Sequence, residues 1–153
     1  MVHKLLGITL LLFALNCKST KNQANMNNED VVLIGEGKLY GSGSEGIEKQ
    51  NLVITNSKDW NALVAKMNAV NNVSDSFTEI DIDFSEYTVI AVFDEVKNSG
   101  GHSLNLIFQE INDKILVEVL RKSPEGIATS VMTQPYYIVK IPKTEVPIEF
   151  KKI

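Results

Sequence analysis

The spacing of apolar and polar positions divides the chain beyond residue 30 into strands arranged around one helix. Val31, Val32, Leu33 and Ile34 form a short apolar run. Gly35, Gly37, Gly41, Gly43 and Gly46 then bend the chain before a strand through Leu52, Val53, Ile54 and Thr55. A helix follows. Asn56 or Ser57 caps it, and Asp59 sits in its first turn, where a carboxylate meets the positive end of the helix dipole. Trp60, Leu63, Val64, Met67 and Val70 recur along one helical face, a stripe that predicts core packing rather than cofactor ligation.

Residues 71–76 carry turn chemistry, after which 79–84 alternates charged and apolar side chains. That alternation predicts a strand with one wet face and with Ile80, Ile82 and Phe84 directed inward. The segment 88–93 is apolar throughout, as a central strand covered on both faces must be, one of them by the helix. Leu104, Leu106 and Phe108 alternate with Asn105 and Gln109, and Ile115, Val117 and Val119 with Leu116, Glu118 and Leu120. Asn112-Asp113-Lys114 between them reads as a hairpin turn. A last long strand covers 136–141, and 146–150 adds a short edge strand beside Pro142 and Pro147.

Helical connections between the later strands are missing from this pattern, which argues against a doubly wound parallel sheet. The prediction is an α+β fold, a mainly antiparallel β-sheet with one amphipathic helix packed on it. If 88–93, 102–111, 114–122 and 135–141 pair in sequence order, Gly100-Gly101-His102 and the loop 123–134 meet at one end of the sheet. The Asn112-Asp113 turn then lies at the other end.

The N-terminus reads as an address. His3 and Lys4 precede an apolar run of 11 residues from Leu5 to Leu15, far short of the ~20 needed to span hydrocarbon but right for a signal-peptide core. Residues 1–16 therefore read as a lipoprotein signal peptide. Ala14-Leu15-Asn16-Cys17 resembles a bacterial lipobox, which implies that Cys17 receives the lipid anchor and holds the protein to a membrane. Residues 17–30 follow as the lipidated cysteine and a flexible tether, too polar to offset the entropy of ordering. Asn-rich bacterial lipoproteins that this segment resembles use an acidic cluster soon after the cysteine for surface export; the tether lacks one, so the resemblance implies the periplasmic side of the cell envelope, with surface exposure as the alternative. Residues 31–153 form the single folded domain.

Composition narrows the chemistry. A length of 153 residues suits one domain, and 44% apolar with 22% charged residues is the make-up of a chain with its own core. Fifteen basic against 19 acidic residues give a net charge of −4, and the pI is about 5.2, so nucleic acid is not an expected partner. The single cysteine forms no internal disulfide, and with two histidines it makes no four-ligand zinc site without carboxylates. Neither a metal nor a cofactor is expected.

The individual motifs have structural readings. Gly41-Ser42-Gly43-Ser44-Glu45-Gly46 matches a dinucleotide fingerprint in letters, but a strand follows where a helix N-terminus is needed, so the glycines read as a bend. Asp81-Ile82-Asp83-Phe84-Ser85 begins like a calcium loop, yet Glu86 stands at the glycine position and Val92 at the bidentate glutamate position. No nucleophile elbow is present. His102 follows two glycines at a strand start and reads as a half-buried ring; Arg121, beside Lys122, reads as a surface charge rather than a carboxylate clamp.

One combination is more specific than its parts. Trp60 after a polar cap, Ile82-Asp83-Phe84, a strand ending near Val92-Phe93, Ser99-Gly100-Gly101-His102, Pro124 with Gly126, and 134–142 beginning Gln134-Pro135-Tyr136 occur in that order. Over about residues 52–150 this resembles the C-terminal domain of the PrcB family, lipoprotein subunits of bacterial surface protease complexes. His102 stands where that family typically has Tyr, so a ring is kept. The resemblance implies a non-enzymatic accessory subunit that binds a protease or another envelope protein. Its contact end would contain Gly100, Gly101, His102, Pro124, Pro135 and Tyr136, glycines allowing close backbone approach and prolines holding a loop in shape. Two other readings use the same residues differently: a small hydrolase or isomerase with His102 beside Asp94 or Glu95, and an envelope small-ligand carrier with a closed apolar cavity.

Overall fold

The computed structural model describes residues 30–151. The expected signal peptide (1–16), Cys17 and the expected tether up to residue 29 lie outside the described residues. The fold is α+β, with mostly antiparallel strands and one α-helix.

Strand β1 covers Val32–Leu39 and β2 covers Gln50–Ile54. Helix α1 is Ser57–Met67, and a 3-10 turn follows at Val73–Ser76. The remaining strands are β3 (Tyr87–Phe93), β4 (Ser103–Ile111), β5 (Lys114–Lys122), β6 (Gln134–Pro142) and β7 (Ile148–Phe150). They form two sheets, one in the order β1-β6-β3-β2 and the other in the order β4-β5-β7. Among the described residues only the β5–β7 pairing is parallel.

The two sheets correct the expectation of strands paired in sequence order. Strand β6 returns between β1 and β3, and the β4–β5 hairpin crosses to build a layer of its own. The reason is in the side chains. β3 and β6 are apolar on both faces and take the centre of one sheet; β4 and β5 alternate, so each has one face to bury and one to leave wet. Val89, Ala91, Phe93 and Ile138 face α1 with Trp60, Leu63 and Met67. Ile90, Val92, Val139 and Ile141 face Leu104, Leu106, Phe108, Val117 and Val119 of the second sheet. The helix therefore covers one face of β3 and the hairpin covers the other.

The helix begins as its sequence requires. The Asn56 side chain accepts from Asp59 N–H at 3.0 Å, and Asp59 lies in the first turn. It stops at Met67, so Val70, expected on the buried stripe, is 47% exposed beyond its end. The β4–β5 turn has Asn112 at φ 49° and Asp113 at φ 58°, the two left-handed residues that a tight hairpin turn needs.

The expected strand at 79–84 does not form. Asp83 Oδ1 accepts from both the Ser85 N–H and the Ser85 hydroxyl, and the Tyr87 N–H donates to the Asp83 carbonyl, which curls the segment into a turn. Both long sides of β3 are already taken by β2 and β6, so the sheet has no place for it there. The alternation survives without the strand. Ile82 and Phe84 still pack on the helix-side core, while Ile80 is exposed and gives its carbonyl to Trp60 Nε1 at 2.7 Å. The glycine-rich stretch is a double turn, with Ser44 N–H on Gly41 O and Gly46 N–H on Gly43 O. Buried Glu45 accepts from Gly41 N–H at 2.8 Å.

Candidate functional site

The paired-glycine corner and the loop 123–133 do meet. Gly100 N–H donates to Thr129 O at 3.0 Å, Thr133 Oγ1 donates to Ser99 O at 3.0 Å, and Lys97 and Thr133 exchange backbone hydrogen bonds. The corner needs its glycines. A Cβ at Gly100 would collide with Thr129 Oγ1; at Gly101, where φ is +82°, it would stand 2.7 Å from Pro124 Cβ. The loop is thereby seated at its base while its outer part carries apolar side chains into solvent. Ile127 is 105% exposed, and Val131 and Met132 are also exposed.

The six residues expected at the contact end divide into two groups. Gly101, His102 and Pro124 gather at the corner, with His102 and Pro124 partly exposed and His102 Nε2 3.1 Å from Ser99 Oγ. Gly100, Pro135 and Tyr136 are buried. Tyr136 is 3% exposed, and its ring packs against those of Phe77 and Phe93, each 6.3 Å away between centroids. Burial also raises its pKa. This corrects its expected role as a surface contact, because β6 starts deep in the first sheet and its first residues face the core. Pro135 is held there by its carbonyl, which accepts Asp94 N–H at 3.0 Å.

Beneath the corner lies a charge cluster that the sequence does not announce. Asp94 follows β3 directly and is 2% exposed. Its Oδ1 is 3.3 Å from Lys49 Nζ and 3.4 Å from Arg121 Nε, and its Oδ2 is 3.1 Å from Lys97 Nζ. Glu95 takes Lys97 Nζ at 2.7 Å. Burial by itself would raise the Asp94 carboxyl, but the Lys97 ammonium, the Glu95 backbone N–H and Lys49 outweigh it and hold the pKa below the ordinary carboxylate value. Arg121 is thus a carboxylate partner and not a plain surface charge. It reaches from β5 of one sheet to the end of β3 of the other. Gln134 closes the same end, donating Nε2 to Ile47 O at 2.8 Å and to Asp94 O at 2.9 Å.

No family model matches this chain, and no curated protein and no solved structure matches it. The geometry therefore carries the reading. Next to the corner an open cleft of about 610 Å³ runs between the two sheets, walled by β1, the start of β4, the end of β5 and the start of β6. His102, Lys38, Arg121, Lys122 and Tyr137 line it. Burial raises the Tyr137 pKa, with the Glu36 carboxylate adding to the effect, so this hydroxyl remains a neutral donor at physiological pH. Among the described residues no group of His, Cys, Asp and Glu is placed to hold a metal ion, and no helix is long and apolar enough to cross a membrane.

Sequence reasoning missed the Asp94 cluster and the exposed apolar loop. The available signal for the first was an aspartate directly after an unbroken apolar strand; for the second, Ile127, Val131 and Met132 without strand or helix periodicity in a segment opened by Pro124 and Gly126.

Proposed function

We propose that this chain is a non-enzymatic, lipid-anchored protein of the bacterial cell envelope that serves as a protein-binding accessory subunit, of the kind the PrcB-like motifs imply for protease complexes. The observation that carries the reading is the loop 123–133, whose seated base and solvent-facing Ile127, Val131 and Met132 give an ordered apolar surface. A loop ordered before binding loses little entropy on association, and exposed apolar side chains grouped together are a mark of contact sites. Cys17 supplies the anchor, and the periplasmic side is its proposed address.

The hydrolase reading is less well supported. Asp94 and Glu95, the acids it would pair with His102, are engaged by Lys49, Lys97 and Arg121, and His102 faces Ser99. The carrier reading calls for a closed apolar cavity, whereas the cleft is open and sets Glu36, Lys38, Arg121 and Lys122 beside Leu104 and Leu120.

The test has two arms in the native host. Cys17→Ala should move the protein from the membrane fraction to the soluble fraction, and a variant that still sediments with membranes would remove the anchor. Ile127→Asp, made in the anchored protein, should weaken recovery of its partner by roughly tenfold or more, as loss of a central apolar contact does. Unchanged recovery with an unchanged melting temperature would remove the loop from the contact.

A further inference from the structure

The cleft beside the loop has a chemical preference of its own. Three cations line it, Lys38 from β1 and Arg121, which also pairs with Asp94, and Lys122 from the end of β5, against one carboxylate, Glu36 of β1. Neither Lys38 nor Lys122 has an ion-pair partner among the described residues. A positive recess therefore lies on a chain whose net charge is −4. Low-dielectric walls concentrate such a field and draw anions into the recess.

The recess also lies between two strand edges. β1 ends one sheet and β4 ends the other, and among the described residues each pairs with a strand along one side only. The outer edge of β4 shows how its backbone groups are met in the free protein: Leu106 N–H donates to the side-chain Oδ1 of its neighbour Asn105 at 2.8 Å, and not to a strand. Asn105 and the first residues of β4 are part of the cleft wall. Backbone donors and acceptors on a strand edge are a template for an added strand, and cationic side chains beside it select what the added strand carries.

We propose that the cleft receives an extended acidic peptide segment of a partner protein, laid along the β4 edge with its carboxylates toward Lys38, Arg121 and Lys122. The proposal rests on the reading of this end as a protein-binding surface and names the chemistry of what binds there. Main-chain hydrogen bonds to β4 replace the Asn105 contact on Leu106, and side chains at alternate positions of the peptide meet the cations. A volume of about 610 Å³ falls within the range of about 300–1,000 Å³ of pockets that enclose small ligands, room for a short stretch of such a peptide.

The full chain is titrated by fluorescence anisotropy with a labelled peptide of alternating Glu and Val, with its Lys–Val counterpart, and with citrate as competitor. The acidic peptide should bind, with affinity falling as salt is raised, and the Lys–Val peptide should not. Lys38→Glu with Lys122→Glu should weaken binding by about tenfold or more, and Lys122→Ala alone should weaken it to a smaller extent, both with an unchanged melting temperature. On binding, the Leu106 amide should exchange with solvent more slowly. Equal binding of both peptides, indifference to the charge reversal, displacement by citrate at the concentration of a simple anion site, or an unaltered Leu106 amide would each overturn the proposal. If the acidic peptide fails while Ile127→Asp still abolishes partner recovery, the cleft proposal falls and the loop reading stands. If the acidic peptide binds and Ile127→Asp changes nothing, the loop reading falls instead.

Discussion

Trp60→Ala should lower the unfolding free energy by about 4 kcal/mol, the cost typical of removing a large buried aromatic side chain. The indole is 1% exposed and stacks on Phe77 with ring centroids 6.1 Å apart. It also joins α1 to the segment after the 3-10 turn through its 2.7 Å hydrogen bond to Ile80 O. Phe77 in turn lies over Gly35, where an added Cβ would come within 2.5 Å of the ring, so the stack reaches from the helix to β1. Trp60→Phe keeps most of the apolar volume and loses the bond to Ile80, and should cost only about 1–2 kcal/mol. Urea denaturation of the three proteins checks the order. A Trp60→Ala cost near that of Trp60→Phe would mean that the indole does not anchor the helix-side core.

Asp94→Ala should cost about 2–3 kcal/mol. Removing one member of a fully buried ion pair typically costs about 3–5 kcal/mol, and the lower figure applies because Lys49, Lys97 and Arg121 keep part of their hydration. Without the carboxylate the three cations repel one another, and the tie from β5 to the end of β3 is lost. The sign of the pH dependence follows from the lowered folded-state pKa. The contribution of Asp94 is fully present above the unfolded carboxyl value, about 3.9, and is lost as pH falls through the lower folded value. Wild type should therefore lose stability in acid more steeply than Asp94→Asn, which has no proton to take up there. Denaturation midpoints measured at neutral pH and across the acid range give the comparison. Parallel acid profiles for wild type and Asp94→Asn would show that the cluster contributes nothing through its charge.

The placement of this cluster shows what a sequence can and cannot reveal about such a fold. The all-apolar run at 88–93 was legible as a doubly covered strand because no single wet face could be found in it, and the structure covers it with α1 and with the β4–β5 hairpin. Asn112 and Asp113 were legible as a turn because both tolerate the left-handed conformation they adopt. Pairing order was not legible, since alternation along β4 and β5 states only that one face is buried and does not say against which neighbour. At 79–84 the same alternation is satisfied by an irregular segment, because Asp83 draws its own backbone into a turn.

The candidate site was legible to the same degree. Local chain geometry brought Gly100 and Gly101 to the loop that contains Pro124, and this juxtaposition holds although the strands pair differently. The burial of Pro135 and Tyr136 was not legible, because it depends on β6 entering between β1 and β3. Nor was the contact of Arg121 with Asp94, which arises only when the two sheets pack face to face.

In the proposed function, the corner and the loop 123–133 form the surface that meets a partner protein. A photo-crosslinking amino acid placed at Ile127 in the native organism probes that surface, with the same probe at Asn112, at the opposite end of the β4–β5 hairpin, as control. Position 127 should give a discrete crosslinked species and position 112 none. Equal crosslinking at both positions, or none at position 127 in a folded protein, would rule this surface out.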